Sequence, residues 1–284
     1  MSFREAIARI KPAVVGMGFL LNPDDPLSVV IIGTGFFVDP SGWIITNRHV
    51  AEQFVAERDG EIGVKNAIAR AVVFADGVGR PIPGRNASAV AGVGVIPCPI
   101  IETAMGSEPP DENLHYDAVP DLALCRIDAQ ALSRHAPLHY VSLAPSESTR
   151  EGDEVATCGF PLGLVLDQST RLRQMTPIVQ RGIVAAALPF SGLKNPYAFQ
   201  LDIQINPGSS GSPLFRAETG EVIGVVFAMQ QRPGDVVIPG PVHGDQQVGG
   251  VYLPTGFGYA VPSSRFFGQP KPATRLPDVF HRPE

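Results

Sequence analysis

Short apolar runs rich in valine and isoleucine recur along the chain between clusters of turn-forming residues. The first clear example covers residues 29–38, which are followed by the turn sequence DPSG and a second apolar run at 43–46. Two such runs joined by a short turn predict a β-hairpin. The same pattern predicts further strands at residues 67–74, 122–127, 154–158, 178–187, 198–205, 222–229 and 258–261.

Helical spacing of apolar residues is scarce by comparison. It covers residues 2–10 and two shorter candidates at 50–57 and 128–133. The chain also holds 30 glycines and 28 prolines, which supply many turns. Many short strands without a regular alternation of strands and helices predict an all-β sandwich or barrel.

Three stretches depart from the strand pattern. Residues 75–116 are too long for a plain connection and predict an inserted loop or a pair of small strands. Residues 230–256 predict a second excursion, and the proline-rich end predicts a tail that is loose or lies over the surface. We therefore expect one domain at 1–265 and a tail at 266–284.

Charge and cysteine content argue against several classes of function. The net charge is −6 without a lysine or arginine cluster, so no nucleic-acid partner is expected. The first eleven residues lack an uninterrupted apolar core, and no later segment approaches the roughly 20 apolar residues that span a bilayer. The three well-separated cysteines, Cys98, Cys125 and Cys158, argue against a disulfide framework and a paired-cysteine zinc site. We expect a cytoplasmic protein with no membrane partner, no metal and no cofactor.

The run NPGSSGSP at residues 206–213 places Ser210 beside glycine, just before a strand-like apolar run. Glycine allows a sharp turn in which amide groups and a hydroxyl point at one spot. The same residue types also form ordinary turns. Two other polar residues also have ordinary structural interpretations. His49 follows an apolar strand and could be a structural histidine, and Asp121 precedes an apolar strand and could be a turn residue.

The three residues together indicate nucleophilic catalysis. A serine hydroxyl is a weak nucleophile until a base takes its proton, and histidine suits that role near neutral pH. A carboxylate can then hold the histidine in one tautomer. The order His49, Asp121, Ser210 is that of chymotrypsin, whereas α/β-hydrolases place the serine first.

Longer motifs around these residues resemble the HtrA/Deg branch of trypsin-like serine peptidases. The histidine region is matched by GTGFFV at 33–38 and GWIITNRHV at 42–50, and the aspartate motif by DLAL at 121–124. The second half is matched by CGFPLG at 158–163, RGIV at 181–184, the serine run at 206–213 and FGYAVP at 257–262. The resemblance spans about residues 12–265 with the motifs in the family's order.

This resemblance implies two six-stranded antiparallel β-barrels, at about 12–145 and 146–265, with the substrate cleft between them. His49 and Asp121 would come from the first barrel and Ser210 from the second. The amides of Gly208 and Ser210 would form the oxyanion hole. Two departures from the family are visible: Ser212 stands where many relatives have glycine, and only about 20 residues follow the last motif, too few for the PDZ domain that commonly follows.

The resemblance also implies where the specificity pocket lies. Its floor would be Gln204, and its walls would lie near Phe227, Met229 and Gly258. Gln204 is not the carboxylate that a lysine or arginine side chain would need, although Asp202 shares its side by strand alternation. We expect a medium, uncharged side chain before the scissile bond.

The leading hypothesis is a serine endopeptidase that cleaves protein or peptide substrates through an acyl-enzyme. One alternative is a catalytically silent trypsin fold that acts as a binding module. Another is an enzyme held latent until a regulatory protein partner orders its loops, with residues 75–116 and 230–256 as candidates for that control. The order of the three residues and the lack of βα alternation disfavour an α/β-hydrolase esterase.

Overall fold

The computed structural model of the chain describes residues 1–22, 24–25, 28–58, 61–65, 67–76, 93–105, 120–161, 164–166, 176–193, 195–234 and 251–266. Within these ranges the chain forms mainly β-strands and a few short helices. In chain order they are α1 (Phe3–Ile10), β1 (Val14–Leu20), β2 (Val29–Phe37), β3 (Trp43–Thr46), α2 (Arg48–Ala51), β4 (Val55–Arg58), β5 (Glu61–Val64), β6 (Ala69–Asp76), β7 (Val93–Met105), β8 (Ala123–Ile127), α3 (Ala129–Ser133), β9 (Glu154–Gly159), β10 (Leu164–Leu166), β11 (Ile178–Leu188), β12 (Ala198–Leu201), β13 (Pro213–Arg216), β14 (Val222–Gly234) and β15 (Val251–Pro262).

The first barrel is formed by six antiparallel strands in the order β1-β6-β7-β8-β3-β2. It closes because β1 pairs with β6 along one edge and with β2 along the other. Side chains on alternate positions of a strand point to the same face, so one set fills the interior. Phe37, Ile44 and Cys125 belong to that interior set. The short strand β10, from the second half of the chain, pairs with β2 at residues 29–31.

The second barrel is a closed ring of six antiparallel strands in the order β11-β12-β15-β14-β13-β9. Its interior holds Phe199, Leu214 and Ile223, all of which are fully buried. Closure of both rings removes the free edges that would otherwise pair with another chain. The expected fold, two six-stranded antiparallel barrels, is confirmed.

A third apolar cluster joins the two barrels. Phe36 of β2 and Leu124 of β8 belong to the same buried cluster as Phe215 of β13 and Val225 of β14. Burial of apolar area drives this association in the same way as it drives the packing inside each barrel. The two barrels therefore share a continuous core, and the region between them is held in place.

Helix α1 precedes the first barrel along the chain but packs on the second. Its buried residue Ala6 lies against Gly220, where an added Cβ atom would be 3.2 Å from the Cα and Cβ atoms of Ala6. At the start of the helix, the Arg181 guanidinium of β11 lies 4.9 Å from the centre of the Phe3 ring. The helix thus links the second barrel to β1 of the first.

Strand β7 corrects part of the interpretation of residues 75–116. Its residues 93–99 pair with β6 and its residues 100–105 pair with β8, so it is a barrel strand and not part of an insertion. In the sequence, Pro97 and Pro99 argue against a strand here, because proline lacks the N–H that a central strand needs. Both prolines lie in the half of β7 that has β6 as its neighbour. Residues 77–92 and 106–119 of the expected insertion lie outside the described residues.

Strands β14 and β15 extend into the stretch that was expected to be an excursion. They remain paired out to Gly234 and Val251 as a long two-stranded ribbon. Residues 235–250 lie outside the described residues, as does the expected tail from residue 267 onward. The domain boundaries drawn from the sequence stay a prediction. In the described part of the chain, every helix is too short or too polar to cross a membrane.

Candidate active site

The pairing of β3 with β8 brings His49 and Asp121 to the same end of the first barrel. Thr46, the last residue of β3, lies opposite Ala123, the first residue of β8. The strands are antiparallel, so the residues that follow β3 meet the residues that precede β8. His49 lies in the short helix α2 directly after β3, and Asp121 lies two residues before β8.

Asp121 makes three contacts with the segment that carries His49. Its Oδ2 atom lies 2.6 Å from His49 Nδ1, and its Oδ1 atom accepts a hydrogen bond from the His49 backbone N–H at 3.1 Å. The backbone O atom of Asp121 accepts from Asn47 Nδ2 at 2.7 Å. The carboxylate therefore caps the N-terminal end of α2 as well as bonding the imidazole ring. Asn47, at the N-cap position, makes no cap bond with its own side chain.

This contact fixes the tautomer of His49. An ionised carboxylate only accepts hydrogen bonds, so the short contact places the ring proton on Nδ1. The other ring nitrogen, Nε2, is then free to accept a proton. The side chain of His49 is 46% exposed and that of Asp121 is 28% exposed, so the ring can be reached from the surface. The arrangement provides an oriented general base.

The serine loop begins with a tight turn at residues 206–209. The Ser209 N–H donates to Asn206 O at 3.0 Å, and Gly208 has a φ of 90°. Proline at the second position and glycine with positive φ at the third are the signature of a type II turn. Among the described residues, neither the Gly208 N–H nor the Ser210 N–H has a hydrogen-bond acceptor. Both amides are therefore left for water or an external acceptor to satisfy.

Ser210 lies between β12 and β13 of the second barrel, next to β2 of the first. Its backbone O atom accepts from the Thr34 N–H at 2.8 Å. Its hydroxyl donates to Phe227 O at 3.4 Å, and no described hydrogen bond joins it to His49. Gly211 follows with a φ of 89°, and a Cβ atom there would lie 1.9 Å from Thr34 O. Only glycine fits at that point, because any side chain would separate the barrels.

Ser212 is accommodated by a glycine on the neighbouring strand. The residue is 1% exposed, and a Cβ atom added to Gly159 would lie 2.0 Å from the Ser212 hydroxyl oxygen. Gly159 is the glycine of the CGFPLG motif, so the two motifs are matched in size. The hydroxyl of Ser212 is buried without a hydrogen-bond partner in the described part of the chain. The serine fits by space and not by bonding.

The residues expected to line the specificity pocket lie around the end of β12. Asp202 and Gln204 are exposed and share one side, while Ile205 is buried. A Cβ atom at Gly258 would lie 2.1 Å from the Ile205 side chain, so these two residues are in direct contact. Phe227 is partly buried, and its ring centre is 6.3 Å from that of Tyr259. The side chain of Met229 lies outside the described part of the structure.

Sequence reasoning missed two residues that organise this site, Asn47 and Thr34. Asn47 holds the Asp121 backbone, and asparagine directly before a short helix is a recognisable N-cap signal. Thr34 contacts the serine loop, but a threonine inside an apolar strand resembles any other β-branched strand residue. Both lie within the motifs that the sequence displays.

The chain is similar in sequence to bacterial serine proteases. It is 28% identical over 206 residues to a Halomonas elongata protein named as a DegP-like periplasmic serine endoprotease, which covers 72% of this chain and 30% of that protein. It is 30% identical over 198 residues to a Synechocystis protein named as the serine protease HhoA, which covers 70% of this chain and 37% of that protein. The chain thus spans about a third of the length of these relatives.

The expectation of a cytoplasmic protein is wrong. Similar proteins from Halomonas elongata, Chlamydia pneumoniae and Pseudomonas putida are named as periplasmic. The expectation rested on the N-terminal residues and on the unpaired cysteines. All three cysteines are buried, and burial raises the pKa of each thiol to about 12. Buried, protonated thiols are unreactive, so unpaired cysteines here are no sign of a reducing compartment.

Two further comparisons concern the fold and the family. A variant of the HtrA-type protease AlgW, solved with a tripeptide, has a TM-score of 0.50 and 21% identity, covering 93% of this chain and 60% of that chain. This likeness concerns the fold alone. The family profile described as a trypsin-like peptidase domain matches residues 33–225, which include His49, Asp121 and Ser210. The chain belongs to the trypsin-like peptidase family.

Proposed function

We propose that the chain is a serine endopeptidase that hydrolyses peptide bonds in protein substrates through an acyl-enzyme. Ser210 attacks the scissile carbonyl carbon, and Nε2 of His49 takes the hydroxyl proton. Asp121 holds the imidazole in the required tautomer and stabilises its protonated form. The observation that carries this proposal is the 2.6 Å contact between His49 Nδ1 and Asp121 Oδ2, with the serine loop on the facing barrel.

The developing negative charge on the carbonyl oxygen is stabilised by the amides of Gly208 and Ser210. Both lack a hydrogen-bond acceptor among the described residues, which supports this role. His49 then gives its proton to the leaving amine, and water hydrolyses the acyl-enzyme by the same route. A bare binding module would have no need of an oriented base and two available amides. The names of the relatives support an endoprotease, and they support the periplasm as its place of action.

Labelling with a fluorophosphonate probe tests this chemistry. We expect the purified chain to be labelled at Ser210, as located by peptide mapping. Ser210→Ala abolishes labelling, and His49→Ala slows it by several orders of magnitude because the base is lost. The matched control is Ser191→Ala, which removes a serine whose hydroxyl donates to Glu151 Oε1 at 2.7 Å on the surface of the second barrel. A folded chain that is never labelled, alone or with added peptides, would refute the proposal.

The hydroxyl of Ser210 supports a resting state that needs a partner or a substrate to become competent. It donates to Phe227 O at 3.4 Å, a long bond, and no described hydrogen bond joins it to His49. Occupancy of the cleft by a peptide is a sufficient trigger in this proposal, and a regulatory protein partner is the alternative trigger. Labelling rates measured with and without a mixture of peptides distinguish the cases. Equal rates argue against a latent state.

Specificity for an uncharged side chain before the scissile bond is part of the same proposal. The contact between Ile205 and Gly258 supports a shallow, apolar pocket, and Gln204 offers no carboxylate at the floor. Cleavage of a peptide library reports the preference directly. We expect Ile205→Ala to extend the accepted side chains toward larger apolar residues, because it removes the atoms that lie against Gly258. Strict cleavage after arginine or lysine would contradict this specificity.

A further inference from the structure

Thr34 lies within β2 and is fully buried. Each of its three polar atoms forms a hydrogen bond with a residue outside β2. Its backbone N–H donates to Ser210 O at 2.8 Å. Its backbone O atom accepts from the Thr46 hydroxyl at 2.7 Å. Its hydroxyl lies 2.7 Å from Gly208 O. One residue of the first barrel therefore holds both the strand that leads to His49 and the serine loop of the second barrel.

The direction of the hydroxyl bond follows from its second neighbour. The Phe160 N–H lies 3.1 Å from Thr34 Oγ1 and occupies an acceptor site on that oxygen. A hydroxyl has one hydrogen to donate, and the carbonyl oxygen of Gly208 can only accept. The hydrogen therefore points to Gly208. Among the described residues, Gly208 O has no second hydrogen-bond donor. Removing the Thr34 hydroxyl would therefore leave this buried carbonyl oxygen unpaired.

This bond acts on Gly208, one of the two glycines of the serine loop. Glycine has no Cβ atom to restrict its rotation, so the peptide planes on either side of Gly208 turn more easily than those of other residues. The Thr34 hydroxyl fixes the carbonyl that follows Gly208, and the Ser209 N–H bond to Asn206 O fixes the turn. The Thr34 backbone fixes the carbonyl of Ser210. The Ser210 N–H lies between these two fixed carbonyls, and the Gly208 N–H lies between the Asn206 carbonyl, which the turn fixes, and the Gly208 carbonyl.

We infer that Thr34 is a positioning residue, whose hydroxyl holds the Gly208–Ser210 backbone so that both amides face the oxygen that becomes charged in the reaction. This inference rests on the proposed serine peptidase chemistry. Thr34 touches neither substrate nor reacting atoms and acts through Gly208. A merely structural threonine would affect folding alone, whereas this role predicts a loss in the chemical step with little loss in binding.

The test is the inactivation rate with the fluorophosphonate probe, resolved into the limiting rate constant and the half-saturating concentration. Thr34→Val keeps the shape and removes the hydroxyl, and Thr34→Ser keeps the hydroxyl. The matched control is Ser263→Ala, which removes another fully buried hydroxyl that donates to a carbonyl, that of Ala144, away from the serine loop. Thermal unfolding of each variant reports the folded fraction.

We expect Thr34→Val to lower the limiting rate constant by about 10- to 100-fold, somewhat less than the loss of an oxyanion donor outright. The half-saturating concentration changes by less than about 3-fold, and Thr34→Ser and Ser263→Ala stay within about 3-fold of the unmodified chain in both constants. If Thr34→Val does not fold, Thr34→Cys replaces it, since a thiol is a weak donor and gives a smaller loss of the same kind.

A folded Thr34→Val or Thr34→Cys variant that is inactivated at the unmodified rate overturns the positioning role and leaves the proposed chemistry standing. An equal loss in Ser263→Ala also overturns it, because the effect would then follow from lost stability. If the unmodified chain is not labelled at all, the serine chemistry itself fails and the role of Thr34 fails with it.

Discussion

The close approach of Gly159 to Ser212 leads to a prediction about stability. It can be tested by changing either residue alone and both together. A Cβ atom at Gly159 would lie 2.0 Å from Ser212 Oγ, 3.2 Å from Ser212 Cβ and 2.9 Å from Thr34 Oγ1. Atoms at these distances overlap, and Ser212 is 1% exposed, so its side chain has little space into which it can rotate. Gly159→Ala should therefore lower the free energy of unfolding through overpacking.

The expected magnitude follows from the separate effects. Overpacking of a tightly packed interior costs about 1–3 kcal/mol. Replacing glycine by alanine restricts the unfolded chain, which returns about 0.4–1 kcal/mol. We expect a net loss of about 1–2 kcal/mol in Gly159→Ala. Ser212→Gly removes the atoms responsible for two of the three overlaps, so in that background the same change should cost about 1 kcal/mol less.

Urea unfolding of the four proteins in this double-mutant cycle measures the coupling. Trp43, the single tryptophan, is buried and reports the transition by fluorescence. Gly63→Ala is the matched control, because a Cβ atom there has nothing within 4 Å, and we expect a change within about 0.5 kcal/mol. If the costs of Gly159→Ala and Ser212→Gly are additive within about 0.5 kcal/mol, the steric argument is refuted.

Three other predictions follow from the site and its surroundings. Asp121→Asn should lower kcat by about 10⁴-fold while the chain stays folded, because an amide at the Oδ2 position donates to His49 Nδ1 and enforces the wrong tautomer; an unchanged kcat would contradict the assigned contact. Gly211→Ala should abolish labelling, since a Cβ atom 1.9 Å from Thr34 O displaces the loop, and labelling at the normal rate would show that the barrels separate easily. Burial raises the pKa of the three thiols from 9.0 to about 12, so the stability that they contribute is complete below pH 9.0 and is lost as the pH rises toward 12. The midpoint of urea unfolding should fall over that range, and Ellman's reagent at pH 8 should react only as the chain unfolds; rapid reaction of the native protein would contradict the burial of Cys98, Cys125 and Cys158.

The alternation of apolar and polar residues was sufficient to find most of the barrel strands, but not those in which a local rule is broken. Strand β1 was not among the strands predicted from the pattern, since glycine at positions 16 and 18 weakens it. The structure explains those glycines by close approach: a Cβ atom at Gly18 would lie 1.9 Å from Val30 O. Strand β7 was hidden by its prolines. In both cases tertiary packing stabilises a strand that the local sequence preference disfavours.

The helix after β3 shows the limit of periodicity in short segments. A helix was predicted at residues 50–57, whereas the structure has α2 at Arg48–Ala51 and strand β4 from Val55. In a segment this short, the spacing of apolar and polar residues fits both the helical and the strand period, so the pattern alone does not place such a boundary. His49 and Asp121 were nevertheless found, because each is a chemically distinctive residue at the end of a strand. Thr34 was not, because its importance lies in bonds that only the meeting of two barrels creates.

The packing of α1 on the second barrel has a consequence for the order of events during synthesis. The helix is translated before its docking site at Gly220 and Arg181, which follows roughly two hundred residues later along the chain. Until then Ala6, on the buried face of the helix, lacks its native contact with Gly220. The first barrel can close without it, so docking of α1 is one of the last steps and depends on a contact of high sequence separation, which is slow to form. A nascent chain paused before β13 would therefore present this helix to chaperones or to other nascent chains.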